Sequence, residues 1–131
     1  MKLLLDTHVW LWSVLEPARL APKAGKALLD PGSELWLSPI SIWELSLLIE
    51  KRRFRTDRSP AEWVAEAHSH VAWRDAPLTA EVAIECSRLR LPHGDPADRF
   101  LVATARTYAL TLVTADASLL ALPNLALLPA R

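Results

Sequence analysis

The sequence predicts an α/β protein in which a parallel sheet is covered by helices on both faces. Its short apolar segments, such as residues 3–5 and 35–37, are apolar at every position and therefore suit strands buried on both sides. These segments alternate with longer stretches of helical periodicity, an order typical of parallel sheets. In such sheets, ligands bind beyond the carboxyl ends of the strands, where the strand order reverses.

Five strands are predicted from apolar runs of strand length that are separated by turn residues. Asp6 and Thr7 end the first of them, and Thr114 follows the fourth. The predicted strands cover residues 2–5, 35–37, 71–73, 111–113 and 125–128.

The helices are predicted from apolar periodicity and from proline or cap residues at their starts. Pro22 and Pro60 stand at first-turn positions, which proline favours. In the helix that begins after Thr79, four residues are expected to face the core: Val82, Ala83, Cys86 and Leu89. The predicted helices cover residues 8–15, 22–30, 39–52, 60–67, 80–91, 96–108 and 117–120.

Length and composition indicate a single domain over residues 1–131. The hydrophobic fraction of 51% suffices for a core, and the charged fraction of 23% is ordinary for a soluble protein. No apolar run approaches the roughly 18 residues that a membrane span needs, and the N-terminus lacks the features of a signal peptide. We therefore expect a cytoplasmic protein. Cys86 is the only cysteine, which excludes an intramolecular disulfide and a cysteine-based zinc site.

Four acidic residues fall where predicted strands end or predicted helices begin. Asp6 follows the first strand, and Asp116 follows the fourth. Glu44 lies early in the helix after the second strand, and Asp98 lies in the first turn of the helix that begins at Pro96. A doubly wound fold can gather such positions on one edge of its sheet.

Each acid also has a structural interpretation. Asp6 and Asp116 are suited to capping the helices that follow them. Ser41 to Glu44 match a capping box, and Asp95 is a natural N-cap before a first-turn proline. Asp98 is an acid at the third helical position, which the helix dipole favours. We assign Asp95 to capping, with a second role in orienting the site.

Taken together, the four acids predict a metal site. Clustered carboxylates repel one another unless a cation compensates, and an all-oxygen site suits Mg²⁺ or Mn²⁺. Such an ion accepts phosphate oxygens and lowers the pKa of a bound water, which is the chemistry of phosphodiester hydrolysis. The formal net charge of zero is compatible with a nucleic-acid substrate, because the ion supplies the positive charge where the phosphate lies.

Four segments resemble those of PIN-domain proteins in order and spacing, and they look most like the VapC-type toxins of toxin–antitoxin pairs. They extend over nearly the whole chain. The segments are LLLDTH at residues 3–8, SIWEL at 41–45, HGDPADR at 93–99 and TLVTAD at 111–116.

The resemblance implies a three-layer α/β/α sandwich with a central parallel sheet, Mg²⁺- or Mn²⁺-dependent endoribonuclease activity, homodimerisation and inhibition by a cognate VapB-like antitoxin. It assigns the catalytic and metal-binding positions to Asp6, Glu44, Asp98 and Asp116. Thr7 and Thr114 match polar residues that support such sites. Ala97 departs from the bulky apolar residue of many relatives, which affects the packing of this segment and not the acids.

The densest basic run comprises Lys51, Arg52, Arg53 and Arg55. It has two interpretations, a solvated helix C-terminus where cations are favoured, or a surface that contacts RNA phosphates or acidic groups of a partner. Of the histidines, His8 is nearest to the predicted site in the sequence. Trp10 and Trp12 point to different sides of their helix, so we expect at least one of them to be partly exposed.

The main alternative is a catalytically silent α/β module that binds a partner through an acidic surface. A receiver domain is disfavoured because Asp6 has no adjacent acid and no lysine follows Lys51. A phosphatase of the haloacid dehalogenase type needs an aspartate two residues after Asp6, where this chain has His8.

Overall fold

The computed structural model describes residues 1–91 and 95–131, and its central feature is a five-stranded sheet in which all neighbouring strands are parallel. The order across the sheet is β3-β2-β1-β4-β5. The strands are β1 (Lys2–Leu5), β2 (Glu34–Leu37), β3 (Arg74–Asp75), β4 (Thr111–Thr114) and β5 (Leu127–Pro129).

Seven α-helices are formed by the described residues, and a short 3₁₀ helix, Pro17–Arg19, follows the first. None of them is long and apolar enough to cross a membrane. The helices are α1 (Thr7–Leu15), α2 (Pro22–Leu29), α3 (Pro39–Glu50), α4 (Pro60–His70), α5 (Ala80–Arg88), α6 (Pro96–Thr107) and α7 (Ala117–Leu120).

The adjacent strands β1 and β4 bury both of their faces. Leu3 and Leu5 of β1 belong to one hydrophobic cluster, whereas Leu4 between them belongs to the other. In β4, Val113 and Leu112 divide between the two clusters in the same way. The first cluster also contains residues of α1, α2, α3 and α4, and the second contains residues of α5, α6 and α7. The sheet therefore lies between two helical layers, and the predicted α/β/α sandwich is confirmed.

The third strand is shorter and later than predicted. Helix α4 continues to His70, and the Trp73 ring packs edge-on against the Trp10 ring, with 5.5 Å between centroids. Trp73 therefore belongs to the core, and the pairing with β2 falls on Arg74 and Asp75, both exposed. An edge strand is held by its backbone hydrogen bonds and needs no apolar side chains, so the apolar run 71–73 was a misleading signal.

Two other boundaries also differ from the prediction. Helix α5 ends at Arg88, and Ala83 is exposed because the buried side of this helix is defined by Val82 and by Leu89 just beyond its end. The last strand begins two residues later than predicted and ends at Pro129. Proline is tolerated there because β5 is an edge strand.

Candidate active site

The sheet has a topological switch point between β1 and β4. From β1 the chain proceeds to β2 and β3 on one side, and β4 and β5 then lie on the other side. Asp6 directly follows β1 and Asp116 comes two residues after β4. The backbone N–H of Asp6 donates to the carbonyl of Val113 at 3.0 Å, which fixes the two strand ends side by side. These acids therefore lie where doubly wound sheets bind ligands.

Both carboxylate oxygens of Asp6 accept hydrogen bonds. Oδ1 accepts from the backbone N–H of Thr7 at 2.7 Å, and Oδ2 accepts from the hydroxyl of Thr114 at 2.7 Å. Thr114 is completely buried, and its hydroxyl oxygen also accepts from the N–H of Asp116 at 3.1 Å. Asp6 is at the same time the N-cap of α1. The capping interpretation and the site interpretation of this residue therefore hold together.

The capping box proposed for Ser41 and Glu44 is wrong. The N-cap of α3 is Ser38, whose hydroxyl accepts from the N–H of Ile40 at 3.1 Å, and the helix begins at Pro39. Ser41 and Glu44 consequently lie inside the helix, where their side chains are not needed to cap its first turn. They face Thr7 instead.

A chain of hydroxyl groups connects α3 to the end of β1. The Thr7 hydroxyl lies 2.5 Å from Oε1 of Glu44 and 2.8 Å from the hydroxyl of Ser41. A hydroxyl has one hydrogen, and an ionised carboxylate only accepts, so Thr7 donates to Glu44 and Ser41 donates to Thr7. Thr7 and Ser41 are both buried, which fixes the orientation of the Glu44 carboxylate.

Asp95 and Asp98 come from the start of α6. Asp95 is its N-cap, and Oδ1 accepts from the N–H of Ala97 at 3.0 Å. Asp98 lies in the first turn, at a partly exposed position. His93 and Gly94, which belong to the motif recognised in the sequence, lie outside the described residues.

Asp116 is the N-cap of α7. Its Oδ1 accepts from the N–H of Ser118 at 2.8 Å and from the Ser118 hydroxyl at 2.6 Å. This confirms the capping interpretation of Asp116, and it fixes the carboxylate beyond the end of β4.

Five carboxylates line one cleft at the carboxyl edge of the sheet. The four predicted acids are all present, and the fifth is Asp95, predicted as a supporting residue. We call this surface the acidic cleft. It is lined by Asp6, His8, Trp12, Glu44, Asp95, Asp98, Ala115 and Asp116.

The electrostatics of the acidic cleft disfavour two of its negative charges. Desolvation by burial raises the pKa of Asp6 above its ordinary value, against the lowering effect of its hydrogen bonds with Thr114 and Thr7. The pKa of Glu44 is also raised, first by desolvation and then by repulsion from Asp6 and other acids of the cleft. The folded protein therefore destabilises these ionised carboxylates, which is a property typical of functional sites.

The donor set fits a hard divalent cation. Every acid in the cleft offers carboxylate oxygens, the ligands that Mg²⁺ and Mn²⁺ prefer, and a cation would offset the repulsion that raises the pKa of Glu44. The side chains are not drawn to one point, since within residues 1–91 and 95–131 no three His, Cys, Asp or Glu side chains form a compact metal-binding group.

The basic run lies beside the acidic cleft, and two of its four members face a groove that adjoins it. Arg52 adopts a positive φ of 57° just after α3 and does not line the groove, nor does Arg55. We call the groove that Lys51 and Arg53 line the basic groove. It is lined by Thr7, His8, Trp43, Glu44, Leu47, Leu48, Lys51, Arg53, Asp95, Pro96 and Ala97.

Comparison with known proteins agrees with the fold and the motifs. The PIN domain family matches residues 3–125, nearly the whole chain. The chain belongs to the PIN-domain family. Ribonuclease VapC22 of Mycobacterium tuberculosis is 37% identical to this PIN-domain chain over 116 residues, which cover 86% of the chain and 85% of that protein. The resemblance to VapC-type proteins recognised from the four motifs is therefore confirmed.

Solved structures of VapBC proteins share the fold. VapBC2 from Rickettsia felis, bound to a DNA fragment from its promoter, aligns with a TM-score of 0.72 at 20% identity and covers 98% of both chains. DNA-bound VapBC from Salmonella typhimurium aligns with a TM-score of 0.69 at 18% identity, covering 100% of this chain and 99% of that one.

Sequence reasoning identified the acids of the cleft but missed some of their neighbours. Trp12 lines the acidic cleft, with the guanidinium carbons of Arg19 and Arg131 at 4.5 and 5.3 Å from its ring centroid. The helical positions of Trp10 and Trp12 predicted that at least one of them is partly exposed, and that one is Trp12. No sequence signal placed the two arginines on it. Ser41 was assigned to a cap, and its contact with Thr7, 34 residues away in sequence, has no local signature.

Proposed function

We propose that this PIN-domain protein is a divalent-metal-dependent endoribonuclease and the toxin of a toxin–antitoxin pair. The observation that carries the proposal is the gathering of five carboxylates at the switch point of the sheet. The kinship with Ribonuclease VapC22 supports RNA as the substrate class. The zero formal net charge agrees with a substrate that is held locally and not by the overall field of the protein.

In this proposal, Asp6, Glu44, Asp98 and Asp116 are the catalytic acids and hold Mg²⁺ or Mn²⁺. The ion, when bound, supplies positive charge to the phosphate and lowers the pKa of a water that attacks phosphorus. Asp95 is a supporting residue, because it adds negative charge to the cleft while its Oδ1 is engaged in capping α6.

The threonines of the site orient its carboxylates. Thr114 donates to Asp6 Oδ2, and the N–H of Thr7 donates to Asp6 Oδ1. The Thr7 hydroxyl donates to Glu44. Both residues are buried and therefore have few alternative rotamers, so the acids are held in place before substrate or ion arrives.

We also propose that the chain forms a homodimer and is inhibited by a VapB-like antitoxin in the cytoplasm. The names of the R. felis and S. typhimurium relatives describe complexes of VapB and VapC, which supports this kind of partner. Co-expression with the open reading frame adjacent to the gene, followed by co-purification and an RNA cleavage assay, tests the pairing directly.

The activity is tested by incubating the purified protein with single-stranded RNA in Mg²⁺ or Mn²⁺, and again after chelation. We expect cleavage that depends on the ion and is lost in Asp98→Asn. Asp57→Asn is the matched control, since Asp57 is exposed and outside the acidic cleft. Equal cleavage by a well-folded Asp98→Asn variant would contradict the proposal. Ion binding without any cleavage by the wild type would favour a catalytically silent partner-binding module.

A further inference from the structure

Trp43 differs from the other tryptophans in having no aromatic partner. Its side chain is 54% exposed, and it contacts no other aromatic ring within the described part of the chain. Each of the other five tryptophans does so. The five are Trp10, Trp12, Trp36, Trp63 and Trp73. A single exposed apolar side chain is common on protein surfaces, so the significance of Trp43 depends on what surrounds it.

The indole of Trp43 lies in the basic groove, which is continuous with the acidic cleft. His8, Glu44 and Asp95 line both surfaces, so a ligand in the cleft can extend into the groove without leaving the protein. Trp43 is the immediate neighbour of Glu44 on α3. The groove therefore presents an exposed aromatic ring and the side chain of a proposed catalytic acid on one surface.

Lys51 and Arg53 give the far end of the basic groove a positive charge. They are the groove-lining cations, both are exposed, and neither forms an ion pair with an acid of residues 1–91 and 95–131. Trp43, Leu47 and Lys51 follow one another at intervals of four residues and so lie along one side of α3. At a rise of 1.5 Å per residue, Lys51 is about 10 Å from Glu44 along this helix.

We propose that the basic groove binds unpaired RNA next to the bond that is cut, with a base stacked on Trp43 and phosphates on Lys51 and Arg53. This inference rests on the proposed ribonuclease function. Single-stranded nucleic acid is bound in this way by other proteins, through aromatic faces for bases and cations along the backbone. A partner protein with an acidic segment would match the cations, but the adjacency to Glu44 favours the substrate, which must reach that acid.

The first test measures RNA binding without cleavage. A fluorescently labelled 12-nucleotide single-stranded RNA is titrated with the Asp98→Asn protein in Mg²⁺, alone and combined with Trp43→Leu or Trp43→Phe. Loss of a stacked base weakens binding by about 5- to 150-fold. We expect that loss in Trp43→Leu, retention of most of the affinity in Trp43→Phe, and little effect of either variant on a blunt duplex RNA.

The second test concerns the two cations. Each phosphate contact contributes about 0.7 to the slope of log K against log salt for single strands. Lys51→Ala combined with Arg53→Ala is expected to reduce that slope by about 1.4. Arg55→Ala is the matched control, because Arg55 belongs to the same basic run and is exposed but does not line the groove.

In the active protein, Trp43→Leu is expected to raise KM for a long RNA by the same factor as it weakens binding, with kcat nearly unchanged. Cleavage by the wild type together with an unchanged KM in Trp43→Leu overturns this inference and leaves the ribonuclease function intact. The absence of metal-dependent cleavage by the wild type removes the function on which the inference rests. A change in molar mass of Trp43→Leu by light scattering assigns the surface to an interface between copies of the chain. Binding of RNA by Trp43→Leu with wild-type affinity shows that no base stacks on Trp43. Either result also overturns the inference.

Discussion

The acidic cleft has two walls that are built differently. Asp6 and Asp116 follow the ends of the paired strands β1 and β4. The pairing of these strands and the hydroxyl of the buried Thr114 fix both residues in position. Glu44, Asp95 and Asp98 belong instead to helices α3 and α6. The Thr7 hydroxyl joins the walls, since Thr7 follows Asp6 on one side and donates to Glu44 on the other. The sheet fixes the positions of Asp6 and Asp116. The buried hydroxyl of Thr7 then fixes the position of Glu44 on α3 relative to them.

Among the variants compared below, the largest effect is expected at Asp6 on the sheet wall. Asp6→Asn keeps the size of the side chain but removes the negative charge of a carboxylate that we propose as a ligand of the ion. RNA cleavage in Mg²⁺ should therefore fall by at least about 10²- to 10³-fold. The Asp57→Asn control should retain activity. Circular dichroism should show an intact fold for both proteins. An active, folded Asp6→Asn protein would mean that the sheet wall does not carry the chemistry.

The link between the walls is tested at Thr7. Thr7→Val removes the hydroxyl and nearly preserves its volume, leaving Glu44 and Ser41 without this partner. Groups that orient metal ligands contribute roughly 10- to 100-fold to activity, and an unsatisfied buried hydroxyl costs about 1–3 kcal/mol of stability. Thr7→Ser retains the hydroxyl and should recover most of the activity. If Thr7→Val and Thr7→Ser cleave RNA equally well, the hydroxyl does not position Glu44.

The two walls also differ in how far the sequence predicts them. Asp6 and Asp116 could be located from strand ends, because parallel strands bring their carboxyl ends to one edge. The position of Glu44 relative to them depends on the packing of α3 and on the Ser41–Thr7 contact, which joins residues far apart in sequence. Local pattern therefore assigned Ser41 and Glu44 to a capping box that does not exist.

The same distinction explains the errors in the fold. Strands β1 and β4 were predicted correctly because their apolar residues are buried in the two core clusters, one on each face of the sheet. The edge strand β3 consists of Arg74 and Asp75, which are both exposed. Its backbone hydrogen bonds cannot be predicted from the pattern of apolar residues. The neighbouring apolar residue Trp73 is buried for a different reason, its contact with the rings of Trp10 and His68.

A smaller effect is expected at Asp95 on the helix wall, where capping and charge can be separated. Asp95→Asn retains an oxygen that accepts from the N–H of Ala97, so stability should change little. Asp95→Ala removes the cap and should lower the free energy of unfolding by about 1 kcal/mol. If Asp95 also acts through its charge, Asp95→Asn and Asp95→Ala should lose activity to a similar extent. That loss should be smaller than the loss caused by Thr7→Val. Activity lost only in Asp95→Ala would assign the residue to capping alone.

The smallest effect is expected in the stability of the metal-free protein. Removing the acidic groups of Asp6 and Glu44 should make this stability less sensitive to rising pH, although it should abolish activity. The raised pKa values of Asp6 and Glu44 mean that the folded state binds more protons than the unfolded state just above their ordinary pKa values of 3.8 and 4.5. Stability contributed by these groups is therefore present at low pH and is lost as pH rises through their folded pKa values. In the double variant with Asp6→Asn and Glu44→Gln, neither residue can ionise. Calorimetry in chelator, from the ordinary pKa values of these groups upward, should show a shallower fall of Tm with pH for that variant than for the wild type. Added Mg²⁺ should raise the Tm of the wild type by mass action and leave the variant nearly unchanged. Parallel curves for the two proteins would show that the cleft does not disfavour its own charges, which removes the electrostatic reason for a cation there.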